Sequence, residues 1–147
     1  VNSAQFLISP AARCASVRAV KKSDSIFVAG HRGLAGGAIL RELQSAGYTN
    51  LLTRTRAEVD LQQRAAVRKF FEEQRPQIVV VAAAKVGGIK ANNDFPVEFL
   101  IENLNIQNNL IEAANAYGAE KLLFMGSSCI YPKFAPQPIP ESALLTG

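Results

Sequence analysis

Ile26-Phe27-Val28-Ala29-Gly30-His31-Arg32-Gly33-Leu34-Ala35-Gly36-Gly37 is the stretch on which the reading of this chain turns. Four apolar residues run straight into a loop whose glycines recur at Gly30, Gly33 and Gly36. Behind it, Ala38-Ile39-Leu40-Arg41-Glu42-Leu43 carries a helical pattern that ends near Gly47. A buried parallel strand, a glycine turn and a helix N-terminus together form an anion cradle, because the unpaired N–H groups of the helix start point at whatever the turn lets in. Each glycine has a task in such a cradle: a tight turn, a close backbone approach to phosphate, and close packing of helix on strand. The stretch therefore predicts the pyrophosphate-binding βα unit of a dinucleotide fold.

Outward from that unit, the apolar pattern alternates between strand and helix. Tyr48-Thr49-Asn50-Leu51-Leu52-Thr53 predicts a second strand, ending in Arg54-Thr55-Arg56. Glu58-Val59-Asp60-Leu61 is a turn, and Gln63 to Gln74 an amphipathic helix with Ala66, Val67, Phe70 and Phe71 inward, stopped by Arg75-Pro76. Gln77-Ile78-Val79-Val80-Val81-Ala82 is apolar without alternation, as a strand covered on both faces must be. Ala83 to Asn93 is expected to be one long loop, of the kind that is usually functional.

A long helix follows from Pro96 to Tyr117, closed by Gly118. Its apolar positions Phe99, Leu100, Ile101, Leu104, Leu110, Ile111 and Ala114 make a face too broad for one sheet. Lys121-Leu122-Leu123-Phe124-Met125 predicts another buried strand, and Glu141 to Leu145 the start of a further helix. The expected fold class is α/β: a doubly wound parallel sheet, Rossmann-like and truncated, over residues 23–147. In such sheets ligands sit at the carboxyl ends of the strands. The glycine loop, Arg54 to Arg56, Lys85 to Asn93 and Ser127 to Tyr131 all fall there.

At 147 residues the chain is about one domain, and no apolar run is long enough to span a bilayer, so no membrane partner is expected. The net charge of +4 is concentrated at one end. Residues 1–22 hold Arg13, Arg18, Lys21 and Lys22 and no acid, which leaves the remainder with 12 basic and 12 acidic side chains. The body thus gives no bulk-charge argument for nucleic acid. Residues 1–22 read as a disordered extension or, as the alternative, a transit-like leader. Cys14 and Cys129 form neither a disulfide framework nor a metal spacing, which fits a reducing compartment, and a cytoplasmic location is expected.

The segments Gly30-His31-Arg32-Gly33, Arg54-Thr55-Arg56, Ala83 to Ile89 and Gly126-Ser127-Ser128-Cys129-Ile130-Tyr131-Pro132 together resemble the GDP-L-fucose synthases. These are NADPH-dependent 3,5-epimerase/4-reductases of GDP-4-keto-6-deoxy-mannose within the extended short-chain dehydrogenases. The glycine spacing points to the same branch, and Phe134 to Glu141 is most similar to the plant-type members. The resemblance runs from about Ser25 to Gly147. It implies that Ser127 hydrogen-bonds the substrate's 4-keto oxygen and that Cys129 is the acid or base of epimerisation. It implies NADP binding by Gly30, His31, Arg32, Gly33, Leu34, Ala35, Gly36 and Arg56. Asp60 contacts the adenine or caps a turn, Asn103 faces the cofactor or is a plain polar helix position, and Lys85 lines the sugar-nucleotide site. No metal site is implied. The broad face of residues 96–117 fits either the family's homodimer or burial by a further segment. One argument is independent of the resemblance: an NAD-preferring fold carries an acid after its second strand, and this chain has Thr53-Arg54-Thr55-Arg56 there, which suits a 2′-phosphate.

The family's Tyr-x-x-x-Lys dyad is expected beyond Gly147. Tyr117-Gly118-Ala119-Glu120-Lys121 has the letters but spans a helix end, a glycine break and a strand start, so its two side chains do not share a helix face. The chain by itself is accordingly expected not to turn over substrate. The alternatives are another NAD(P)-dependent sugar-nucleotide epimerase or dehydratase, or a non-catalytic NADP-binding relative of the short-chain enzymes.

Overall fold

The computed structural model describes residues 18–146. Four parallel strands, β1 (Ile26–Ala29), β2 (Leu51–Leu52), β3 (Ile78–Val81) and β4 (Lys121–Phe124), lie in the order β2-β1-β3-β4. The helices are α1 (Leu34–Ser45), α2 (Arg64–Gln74), α3 (Ile89–Asp94) and α4 (Pro96–Ala116). Among the described residues, no helix is long and apolar enough to cross a membrane.

Side-chain alternation in the two central strands sorts the helices onto two faces. Phe27, Ala29, Val79 and Val81 point to α2 and α4, where Val67, Phe70, Phe71, Leu110, Ala113 and Ala114 complete one core. Ile26, Val28, Ile78 and Val80 point the other way, to Ile39, Leu40 and Leu43 of α1. Both faces of β1 and β3 are thus covered, which is why their sequences are unbroken apolar runs. Phe27 meets Phe70 at a ring separation of 4.6 Å and Phe71 edge-on at 6.0 Å. Spacing of three and four residues puts Val67, Phe70 and Phe71 on one stripe of α2, and full burial of such a side chain is worth about 1.5–3 kcal/mol.

The strand order runs outward from β1 in both directions, so the crossover from β2 to β3 passes over β1. The carboxyl ends of β1 and β3 are therefore the point where the winding reverses.

Several expectations are corrected. β2 is two residues long instead of six, because the Tyr48 N–H turns back to the Leu43 carbonyl and Thr49 bonds to Lys22. The loop expected from Ala83 to Asn93 ends at Gly88, and α3 follows. Its first turn is held by the Asn92 amide, which donates to the carbonyls of Gly87 and Gly88. β4 is not buried: Leu122, Leu123 and Phe124 are 38%, 53% and 45% exposed, since among the described residues only β3 flanks the strand. The expected C-terminal helix is a single 3-10 turn, Glu141–Ala143.

Most of the expected leader, with Cys14, lies outside the described residues. Its last five residues, 18–22, are described and lie against the folded body. The Arg18 guanidinium pairs with Asp24 at 2.7 Å and Glu120 at 2.6 Å, and the Lys121 ammonium donates to the Arg18 carbonyl at 2.7 Å. Residues 18–22 thus belong to the folded body, on the amino-terminal side of the sheet.

Candidate functional site

The site begins where β1 stops. Ala29 accepts a hydrogen bond from the Ala82 N–H at 3.0 Å, so the ends of β1 and β3 are tied side by side. Gly30 then turns with φ +85°, and a Cβ there would lie 2.7 Å from the Ala82 backbone. A Cβ on Gly36 would lie 2.3 Å from the Gly30 carbonyl oxygen. These two positions accept glycine alone, and their bareness lets α1 start directly under the turn. The Gly33 N–H closes the loop on the Gly30 carbonyl at 2.9 Å, and no side chain caps the start of α1. The first N–H groups of α1 are left to an outside acceptor.

In front of this turn opens a cleft of about 670 Å³. Its floor is the glycine loop with Ala82 and Ala83. One wall is the segment after β2, with Arg54, Arg56 and Asp60, and the other carries Lys85, Glu102 and Ile106. The basic side chains differ in how they are held. Arg54 is committed, donating to the Thr53 carbonyl at 2.7 Å and lying 5.2 Å from the Phe70 ring centre. Arg56 is 71% exposed and only 3.8 Å from Asp60, a loose pair, and Arg32 is exposed on the loop itself. Glu58 braces the turn between them: its carboxylate accepts from the N–H and the hydroxyl of Thr55, both at 2.7 Å, and the Thr55 N–H foremost holds it below the usual range.

The cradle passes a test for an anionic cofactor on its own features. Glycines occupy the two places where any Cβ would fill it, and the α1 N-terminus is uncapped. His31 Nδ1 is buried at the cleft without a hydrogen-bond partner, a polar atom still owed one. No acid follows β2 until Glu58, which is occupied with Thr55.

Of the expected residues, the cleft brings together Gly30, His31, Arg32, Gly33, Leu34, Ala35, Arg56, Asp60 and Lys85. Gly36 lies buried beneath the floor. Asn103 does not line the cleft. Its side chain grips the Lys85 backbone from behind, and it borders a shallow groove between α3 and α4 instead. Ser127 and Cys129 stand apart at the carboxyl end of β4, both exposed. Ser127 caps the 3-10 turn Ser128–Ile130, its Oγ accepting from the Cys129 N–H at 3.1 Å. Sequence reasoning missed Glu102, Gln62 and Ile106. The available signal was helical spacing, which sets Ile106 one turn beyond Glu102 and both beside Asn103.

The family described as "NAD dependent epimerase/dehydratase family" matches residues 26–147. GDP-L-fucose synthase 1 of Arabidopsis thaliana is 62% identical over 126 residues, covering 86% of this chain and 39% of the relative. GDP-L-fucose synthase of Escherichia coli (strain K12) is 52% identical over 122 residues, covering 83% and 38%. The solved structure of MlghC, a GDP-mannoheptose C4 reductase from Campylobacter jejuni with NADP bound, superposes with a TM-score of 0.82 at 40% identity, covering 88% of this chain and 41% of that one. The chain spans about two fifths of the length of the curated relatives it matches.

Proposed function

The chain belongs to the NAD dependent epimerase/dehydratase family, and on that premise we propose that it is the NADP-binding part of a GDP-4-keto-6-deoxy-mannose 3,5-epimerase/4-reductase, a GDP-L-fucose synthase. The observation that carries this reading is the cleft at the β1/β3 reversal. It joins a phosphate cradle that excludes side chains at Gly30 and Gly36 to two exposed arginines, Arg32 on the loop and the loosely paired Arg56 after β2, where an NAD-type site would carry an acid.

NADPH, when bound, supplies the hydride for reduction at C4. The residues of this chain do the rest of what can be assigned here. Gly30 to Ala35 offer main-chain N–H groups to the pyrophosphate, and His31 Nδ1 gains a partner. Arg32 and Arg56 take the 2′-phosphate, with Asp60 holding Arg56 between times. At the neighbouring strand end, Ser127 already accepts from the Cys129 N–H, so its own hydroxyl proton is free to be donated to a keto oxygen. The exposed Cys129 thiol moves a proton at the carbon beside that keto group. The exposed apolar positions Leu100, Ile101, Leu104 and Ile111 on α4 are read as the dimer face of a cytoplasmic enzyme.

A second reading, a 4-reductase acting on a different GDP-sugar, is favoured by the similarity to the heptose reductase. Cys129 separates the two, since a reductase that does not epimerise has no use for the thiol.

Calorimetric titration tests the cofactor assignment. The chain should bind NADPH over NADH by roughly tenfold to a hundredfold, the worth of one or two charge-assisted hydrogen bonds. Arg56→Ala should remove most of that preference. Equal binding of both cofactors, or a preference that survives the substitution, refutes the reading.

A further inference from the structure

Two neighbouring side chains on α4 divide the anchoring of one loop between them. Asn103 takes the main chain: its Oδ1 accepts from the Lys85 N–H at 2.7 Å and its Nδ2 donates to the Lys85 carbonyl at 3.0 Å. Glu102 takes the side chain: its Oε1 lies 2.5 Å from the Lys85 ammonium, and its Oε2 accepts from the Gln62 amide at 3.0 Å. Because Asn103 holds the Lys85 main chain at both its N–H and its carbonyl, and Asn92 holds Gly87 and Gly88 beyond it, the ion pair is not needed to place the loop. What it decides is where the charge of Lys85 goes.

Both partners are open to the cleft, the lysine side chain 35% and the glutamate 23% exposed. A partly solvated pair of this kind is weakly held. A phosphoryl group entering beside it offers the ammonium more negative charge and more acceptor oxygens than a carboxylate does. Lysine suits such an exchange, being a compact charge on a flexible four-carbon stem. Glu102 would not be left bare, since Gln62 continues to donate to it.

We propose that Glu102 is a positioning residue of the anion site, holding the Lys85 ammonium in reserve against the cleft wall and surrendering it to the phosphoryl group of an incoming nucleotide. The inference rests on the nucleotide reading of the cleft given above. Its consequence is selectivity. A ligand must outcompete a carboxylate for Lys85, so a highly charged nucleotide gains and a weakly charged competitor does not. The phosphoryl group can come from the dinucleotide cofactor or from the GDP of the sugar substrate, and the chemistry at Lys85 is the same for both.

The test titrates the 147-residue chain with NADPH and, separately, with GDP at low and moderate salt. Glu102→Gln preserves the side-chain shape and removes the competing charge. It should tighten binding of whichever ligand reaches Lys85 by about twofold to tenfold at low salt, and by less as salt rises. Tightening in the NADPH arm assigns the cofactor's phosphates, and tightening in the GDP arm assigns those of the sugar nucleotide. Lys85→Met should weaken the same ligand, and in that background Glu102→Gln should have no further effect. A purely structural role for Glu102, acting through Gln62, would keep its effect there. Unchanged or weaker binding of both ligands by Glu102→Gln overturns the proposal, as does tightening that persists without Lys85. Failure of the parent chain to bind either ligand removes the nucleotide reading and this inference with it.

Discussion

The carboxyl ends of β1 and β4 are built in opposite ways. At β1 the functional surface is main chain: the glycine turn exposes the uncapped start of α1, the turn is tied to β3 through Ala82, and both faces of the strand beneath are buried. At β4 the proposed functional surface is side chain: Ser127 and Cys129 stand on an exposed turn, and among the described residues the strand beneath has one neighbour and half-exposed side chains. The difference teaches where each half of the site keeps its precision. The phosphate cradle is fixed by what cannot be added to it. The Ser127–Cys129 turn is fixed by hydrogen bonds within its own short span, from Cys129 N–H to Ser127 Oγ, Ile130 N–H to the Ser127 carbonyl and Tyr131 N–H to the Ser128 carbonyl, so it is locally ordered yet owes little to the core.

The sharpest way to break this comparison is to add a methyl group to the cradle. Gly36→Ala places a carbon 2.3 Å from the Gly30 carbonyl oxygen, and a backbone atom cannot give way to it cheaply. We expect a destabilisation of about 1–3 kcal/mol with loss of measurable NADPH binding, read by chemical denaturation and calorimetry. A variant as stable as the parent that still binds would mean the loop is softer than its geometry.

Acid provides an intermediate probe, directed at β4. The Arg18 guanidinium, by hydrogen bonding first, holds both Asp24 and Glu120 below their ordinary carboxylate values. A carboxylate depressed in the folded state contributes stability that is complete above its unfolded pKa and is lost as pH falls through its folded pKa. The melting temperature should therefore drop on acidification below the ordinary carboxylate range. Glu120→Gln should start lower at neutral pH and lose less on the way down. Parallel curves for the two proteins would show that the Arg18 contacts add nothing at the amino end of β4.

The smallest effect belongs to the exposed turn. Cys129→Ser should change stability by no more than about 0.5 kcal/mol and leave NADPH affinity untouched, because the residue is exposed and outside the cleft. A large loss in either measurement would make Cys129 part of the scaffold, and the contrast between the two strand ends would fail.

How much of this could be read in advance depended on the range of the cause. The glycine cradle was legible because its requirements are local: Gly30 and Gly36 are excluded from every other residue by atoms within the same loop and its neighbour strand. The covered strands β1 and β3 were legible from their unbroken apolar runs. β4 was misjudged because Leu122, Leu123 and Phe124 advertise what could be buried, while burial depends on what packs there. The α3 turn hid behind Gly87-Gly88 and Asn92-Asn93, residues that favour loops until the Asn92 side chain finds the Gly87 and Gly88 carbonyls. Glu102 was invisible for a plainer reason. A charge on a helix reads as solvated, and only the fold shows that Lys85 and Gln62, one 17 and the other 40 residues away, meet on it.

Arg18 bridges the residues that precede β1 and β4, and in a parallel sheet those are the ends opposite the cleft. The exposed residues of that rim, Lys21 to Ser23, stand away from the cleft. A fluorophore or a surface linker attached at Lys21 can immobilise the protein with its cleft facing solution.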